Sequence, residues 1–325
     1  MCIRVSIVIP TYNRSSSLRQ TVDSLLQQTF PIKNYEIIIC DDSSKDDTAA
    51  VVKEIINRTN HNIKYLKVQS PLKGPGKVRN AGINVSSGSI IGFTDDDCVV
   101  SSNWIEDAVK TFNLNENICG VSGAVITEGR CQSKFKIPRK VTVLSDEGSY
   151  VTSNIFYKKY VLLEAGCFDV SMRYLEDIEL GWRVEKVGPI MFNPSLLVKH
   201  KLFCMSFKDY LKKMSFIEYW VLMYKKHPEH RKKDQLLFGR INNKRLFYVI
   251  FTLLGIISYP LIVELSYLFS GCALISYIFT YVAYDKNVSQ YALRILKLPI
   301  NFFMDFLRFI YSMKASIKNN FFMFY

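Results

Sequence analysis

Three consecutive carboxylates, Asp95-Asp96-Asp97, follow the apolar run Ile90-Ile91-Gly92-Phe93-Thr94. Three neighbouring anions repel one another unless a cation joins them, and hard oxygen ligands on a loop suit Mg²⁺ or Mn²⁺ that also holds phosphate oxygens. A second acidic group, Glu176, Asp177 and Glu179, opens a helical stretch at 176–187. Acids in a first turn serve the helix dipole; alternatively, one of them points into a crevice and takes the proton of an acceptor hydroxyl. Gly74-Pro75-Gly76-Lys77-Val78-Arg79 puts Lys77 and Arg79 at a helix start, where free amides and a guanidinium can meet an anion. His200 follows the apolar stretch Ser195–Val198. It is either a structural hydrogen-bonder, or completes the shell of a metal or touches a phosphate.

These groups need a frame to bring them together. Val5–Pro10 is a short β-rich run, and the stretch 15–28 carries apolar residues at 18, 22, 25 and 26, at helical spacing. The alternation repeats with strands at 35–40, 63–68 and 89–94 and helices at 46–57 and 77–85. Continuous apolar strands separated by helices predict an α/β fold, a mostly parallel sheet covered on both faces. Ligands of such sheets bind beyond the carboxyl ends of the strands. There the sequence places Thr11-Tyr12-Asn13-Arg14, Asp41-Asp42-Ser43-Ser44 and Asp95-Asp96-Asp97. Further on, the pattern predicts a helix at 104–112, a strand at 118–127, a loop-like flap at 128–150, and helices at 158–165 and 206–226.

Taken in order, Val5-Ser-Ile-Val-Ile-Pro-Thr-Tyr-Asn-Arg14, Asp41-Asp42-Ser-Ser-Lys-Asp-Asp-Thr48, Arg79-Asn80-Ala-Gly82, Asp95-Asp96-Asp97 and Glu176-Asp177 resemble the signature of family 2 glycosyltransferases with the GT-A fold, over about residues 1–230. The resemblance implies a Rossmann-like sheet flanked by helices, a nucleotide-sugar donor, and Mg²⁺ or Mn²⁺. It implies that Pro10, Thr11 and Asp42 line the base pocket, and that Asn13, Arg14 and Arg79 belong to the donor site. It further implies that Asp95 and Asp97 serve the metal with His200 beside them, that Asp96 lies near ribose or metal, and that Asp177, next to Glu176, is the general base. Three acids in a row, where the family usually has acid-any-acid, leave open which pair chelates.

Composition adds a second regime. Apolar residues make up 49% of the 325, and Lys+Arg exceed Asp+Glu by 42 − 29 = +13. Residues 199–245 hold thirteen Lys/Arg against Asp209, Glu218, Glu229 and Asp234, a local excess of 13 − 4 = +9, and run into 246–284, where Glu264 is the only charged side chain. A basic stretch leading into an apolar one fits anionic lipid better than nucleic acid. The expected organisation is a catalytic domain at 1–230, a basic juxtamembrane linker at 231–245, a transmembrane or re-entrant helical hairpin at 246–284, and an amphipathic interfacial tail at 285–325. The eight cysteines form no CxxC pair and read as reduced core thiols. The catalytic domain is accordingly expected on the cytoplasmic face of the cell membrane.

The expected reaction is inverting sugar transfer to a hydroxyl of a glycan or lipid-linked glycan, for cell-surface polysaccharide or glycolipid. A polyprenyl-phosphate glycosyltransferase is the near alternative, and a nucleotidyltransferase would attack at phosphorus. A membrane-tethered, non-catalytic sugar-nucleotide binder leaves the acid set unexplained.

Overall fold

In the computed structural model, β1 (Val5–Thr11), α1 (Ser15–Leu26), β2 (Tyr35–Asp41), α2 (Thr48–Asn57), β3 (Ile63–Lys67), α3 (Pro75–Val85) and β4 (Ile90–Phe93) alternate as the hydrophobic pattern requires. The structure describes residues 4–69, 74–133, 136–145, 148–230, 246–260, 262–281, 291–321 and 323. Next come β5 (Cys98–Val100), α4 (Trp104–Leu114), β6 (Gly120–Glu128), β7 (Ile137–Arg139), β8 (Ile155–Lys158), α5 (Lys159–Glu164), α6 (Glu176–Glu185), β9 (Ile190–Lys201) and β10 (Phe203–Met205).

The eight-stranded sheet runs β3-β2-β1-β4-β8-β6-β9-β5. Strands β1 to β4 are parallel, β8 runs against β4 and β6, and β5 runs against β9. Every residue of β2 is buried because the sheet is covered on both sides. Ile7, Ile9, Ile37 and Ile39 face one core with Trp104, whereas Val8, Ile38, Cys40 and Phe93 face the other with Tyr157. This period-two division is what a central strand demands.

Gly82 lets α3 lie close on β1. A Cβ there would stand 2.5 Å from Val8 Cγ1 and 2.9 Å from Cys40 Sγ. Gly82→Ala is therefore expected to cost about 1–3 kcal/mol by overpacking. A lowered denaturant midpoint with an unchanged m-value would register it.

Several sequence expectations need correction. The flap at 128–150 is not all loop: β7 pairs with β10 in a small antiparallel sheet. Cys131 and Cys204 form a disulfide with Cα atoms 5.8 Å apart, so these two are not the reduced core thiols expected of all eight. Cys40, Cys98 and Cys119 are buried free thiols, as apolar surroundings imply. The helix expected at 206–226 is two, Phe207–Met214 and Ile217–Lys226, separated by a turn in which the Ser215 and Phe216 amides donate to Lys212 and Lys213 carbonyls.

The chain divides into two units, Met1–Phe207 and Lys208–Tyr325. In the second, helices Leu246–Ser258 and Val263–Tyr281 pair, and Phe302, Phe306 and Phe309 of the helix Tyr291–Lys318 pack on their Val249–Ala273 contact. The membrane-spanning hairpin at 246–284 is not supported: among the described residues no helix is long and apolar enough to cross a membrane. The chain turns after Ser258, before Pro260, so the first helix has 13 residues. That is about 20 Å at 1.5 Å per residue, short of a hydrocarbon core of about 30 Å. The linker at 231–245 lies outside the described residues.

Candidate active site

The polar residues at the carboxyl ends of β1, β2 and β4 come together with the start of α6. Thr11, the last residue of β1, donates from Oγ1 to Asp96 Oδ2 at 2.8 Å. Arg14 donates to Asp96 Oδ1 at 3.0 Å and to Asp97 Oδ2 at 2.6 Å. Asn13 holds the turn between them in a left-handed conformation, φ 51°, which Asn tolerates. Its side-chain oxygen accepts from the Lys45 amide and its own amide donates to Ser44 Oγ, so Asn13 fastens the first strand-end loop to the second. Pro10 sits half-buried in β1, opposite Cys40.

At the end of β2, Asp41 and Asp42 differ. Asp41 is buried and accepts from the Ser44 amide and the Tyr65 hydroxyl, a structural role. Asp42 is partly exposed and lies 3.6 Å from Lys77 Nζ. The two motifs that hold them are thereby neighbours, as a base and phosphate pocket requires.

Arg79 is the hub. It is 3% exposed and donates from Nη2 to Asp95 at 2.8 Å and from Nη1 to Glu176 at 2.9 Å, with its guanidinium 5.6 Å from the centre of the Phe168 ring. Asn80 completes the junction, which the sequence reading missed. Its side-chain amide donates to the Phe168 carbonyl and accepts from the Phe168 amide, both at 2.9 Å, pinning the segment that leads into α6. Its position beside Arg79 in the motif was the available signal. Leu175, just before α6, has φ 65°, a left-handed conformation that costs a branched side chain free energy and recurs where function over-determines the backbone.

Glu176 is buried and committed to Arg79, so the two acids opening α6 have different duties. Asp177 is half-buried at the start of α6 and accepts the Ile178 amide. Burial, and then the charge of Glu176, push its carboxyl up to about 7, against the opposing pull of Arg79. A carboxyl held there is poised to exchange a proton near neutrality. Asp96 is pushed up to about 6, chiefly by burial.

Asp95, Asp97, Cys98 and His200 bring ligand atoms within 4.8 Å of one another. Pairing of β5 with β9 sets Cys98 opposite His200, which is why a residue a hundred positions away arrives beside the acidic run. His200 Nδ1 lies 2.9 Å from the Lys201 carbonyl. A carbonyl only accepts, so Nδ1 carries a proton, and Nε2 is the ring nitrogen left to serve a metal. Nε2 lies 3.4 Å from Asp97 Oδ1, a buried oxygen without a hydrogen-bond partner. Asp97 Oδ1 and His200 Nε2, with the carboxylate of Asp95 beside them, suit a divalent cation. Burial pushes the Cys98 thiol well above its ordinary range, which leaves an O,O,N set fitting Mg²⁺ or Mn²⁺. Asp96 is absent from this group, its two oxygens taken by Thr11 and Arg14. Asp95 and Asp97 are therefore the pair with chelating geometry.

Residues 6–160 match Glycosyl transferase family 2. Residues 6–160 thus form a family 2 glycosyltransferase domain. Among its relatives, the Minor teichoic acid biosynthesis protein GgaA of Bacillus subtilis is 30% identical over 184 residues, covering 53% of this chain and 41% of GgaA. The poly(ribitol-phosphate) beta-N-acetylglucosaminyltransferase TarS of Staphylococcus aureus is 29% identical over 158 residues, covering 46% of this chain and 26% of TarS. The chain thus spans less than half the length of these curated relatives. In fold it is similar to the mannosyltransferase PcManGT from Pyrobaculum calidifontis, solved with GDP-Man and Mn²⁺, with a TM-score of 0.59 at 14% identity over 98% of this chain and 87% of that one. The likeness to this solved structure makes the α/β architecture of the family 2 domain GT-A-like.

Proposed function

We propose that the crevice transfers a sugar, with inversion, from a nucleotide-sugar donor to a hydroxyl of a glycan or lipid-linked glycan acceptor. The observation that carries the reading is the Asp95–Arg79–Glu176 chain. It ties a candidate metal site to a carboxyl, Asp177, tuned to about 7. Asp42 and Lys77 provide polar groups for the base and phosphates, beside Thr11. Asp95, Asp97 and His200 would hold Mg²⁺ or Mn²⁺, which when bound offsets the charge of the departing diphosphate. Asp177 takes the proton of the acceptor hydroxyl as its oxygen bonds to the anomeric carbon; the bond from that carbon to the diphosphate breaks on the opposite face. Relatives named for teichoic acid and poly(ribitol phosphate) support a cell-surface polymer as acceptor.

In the same reading the second unit rests on a membrane surface, with the catalytic domain on the cytoplasmic side. Helices Leu246–Ser258 and Val263–Tyr281 expose Ile256, Ile257, Tyr267 and Leu268, and helix Phe207–Met214 carries Lys208, Lys212 and Lys213. Exposed apolar side chains and a lysine-bearing helix suit an anionic interface.

A panel of nucleotide sugars read by thermal unfolding tests the donor reading. One donor at about 100 times its Kd should stabilise the protein by about 2.7 kcal/mol, and only with Mg²⁺ or Mn²⁺ present. Stabilisation by none, or equal stabilisation in EDTA, contradicts it.

A further inference from the structure

The two arginines of the crevice are held very differently. The Arg79 side chain is 4% exposed and locked between Asp95 and Glu176. The Arg14 side chain is 40% exposed, at the N-cap of α1, with its guanidinium 6.0 Å from the centre of the Phe203 ring. Its two partners also differ. Asp96 keeps Thr11 Oγ1 if Arg14 withdraws, whereas Asp97 Oδ2 is shown with Arg14 as its donor, and Asp97 Oδ1 faces His200 Nε2.

We infer that Arg14 is an exchangeable counter-ion that makes metal and donor bind together. While Arg14 engages Asp97, its positive charge partly satisfies the carboxylate a divalent cation would use and repels that cation. A donor diphosphate offers the guanidinium a better, bidentate partner. Transfer of Arg14 to the phosphates frees Asp97 Oδ2 and removes the repulsion. Charge balance favours this exchange. Asp95, Asp96, Asp97 and Glu176 bring four negative charges against two from Arg14 and Arg79, and Asp177 adds a fifth when ionised, so the group holds an excess of negative charge for a divalent ion to offset. The diphosphate then needs cationic partners, and Arg14, far more exposed than Arg79, can turn to it beside Lys77. Each ligand thereby strengthens the other by the same factor, as linkage requires.

The inference rests on the metal reading above, and the test separates the two. Mn²⁺ is titrated into the full chain and free ion is followed by electron paramagnetic resonance, with and without saturating UDP, and GDP in parallel. Wild type, Arg14→Gln and Asp97→Ala are compared. Arg14→Gln should bind Mn²⁺ alone about tenfold or more tightly than wild type. The gain in Mn²⁺ affinity that a nucleotide confers on wild type should shrink at least about threefold in the variant, and Asp97→Ala should lose the site. Equal or weaker Mn²⁺ binding by Arg14→Gln overturns the role of Arg14 while leaving the metal site standing. No nucleotide-dependent gain in wild type overturns the coupling. Absence of Mn²⁺ binding by both wild type and Arg14→Gln, with either nucleotide, overturns the metal reading as well.

Discussion

Asp177→Asn is expected to fold, to bind donor, and to lose transfer by about 10²–10⁴-fold in kcat, the usual contribution of a positioned general base. The asparagine keeps the shape and the contact with the Ile178 amide but cannot take a proton. Wild-type kcat/KM should rise with pH through a midpoint near 7, because a general base acts only when deprotonated and burial pushes the Asp177 carboxyl up to about 7. Stability should show the opposite trend. The folded protein holds this proton more tightly than an unfolded chain, whose aspartates titrate near 3.8. The contribution of Asp177 to stability is thus fully present below about 3.8 and declines as pH rises to about 7. Asp177→Asn should therefore gain in Tm relative to wild type across that window and keep the gain above it. A variant that transfers sugar at the normal rate would remove Asp177 as base and favour a phosphate acceptor, which needs none.

Arg79→Ala should be the most damaging change to the fold of the site. Removing one member of a buried ion-pair group costs about 3–5 kcal/mol, because the remaining charges stay buried without compensation. Here Asp95 and Glu176 would both lose their guanidinium, and the Phe168 ring would lose its cation. Arg79 also holds the Asp177 carboxyl down, so its loss should move the kcat/KM midpoint to higher pH in whatever folded protein remains. Arg79→Lys keeps a charge but cannot span Asp95 and Glu176 with one planar fork, and should recover part of the stability and little of the rate. Chemical denaturation and a pH–rate profile on the three proteins read both effects; wild-type stability in Arg79→Ala would contradict the hub role.

Much of this site was legible because the information lies in strand ends. Apolar runs at 5–10, 35–40 and 89–94 predicted the parallel strands, and the polar residues following each had to meet at one edge of the sheet. The Asp95–Asp97 ambiguity was not soluble from sequence. It depends on which oxygens Thr11 and Arg14 occupy, and that is decided across 82 or more residues of chain. The Cys131–Cys204 bridge escaped for the same reason. It reflects the β7–β10 pairing, and three-residue strands with a proline at position 138 leave too faint a pattern to find. The apolar stretch 246–284 was read by its length as a membrane hairpin, but composition does not show where the chain turns. The turn after Ser258 and the phenylalanines of Tyr291–Lys318 give part of that apolar surface a partner within the unit.

The most direct test of the account is to identify what leaves the donor. Purified protein is supplied with the nucleotide sugar that stabilises it, an acceptor extract, and Mn²⁺ or EDTA, and the nucleotide product is resolved by chromatography. The expected product is nucleoside diphosphate, formed with Mn²⁺, abolished by EDTA and lost in Asp177→Asn. Pyrophosphate release, or turnover unchanged in EDTA, would contradict it.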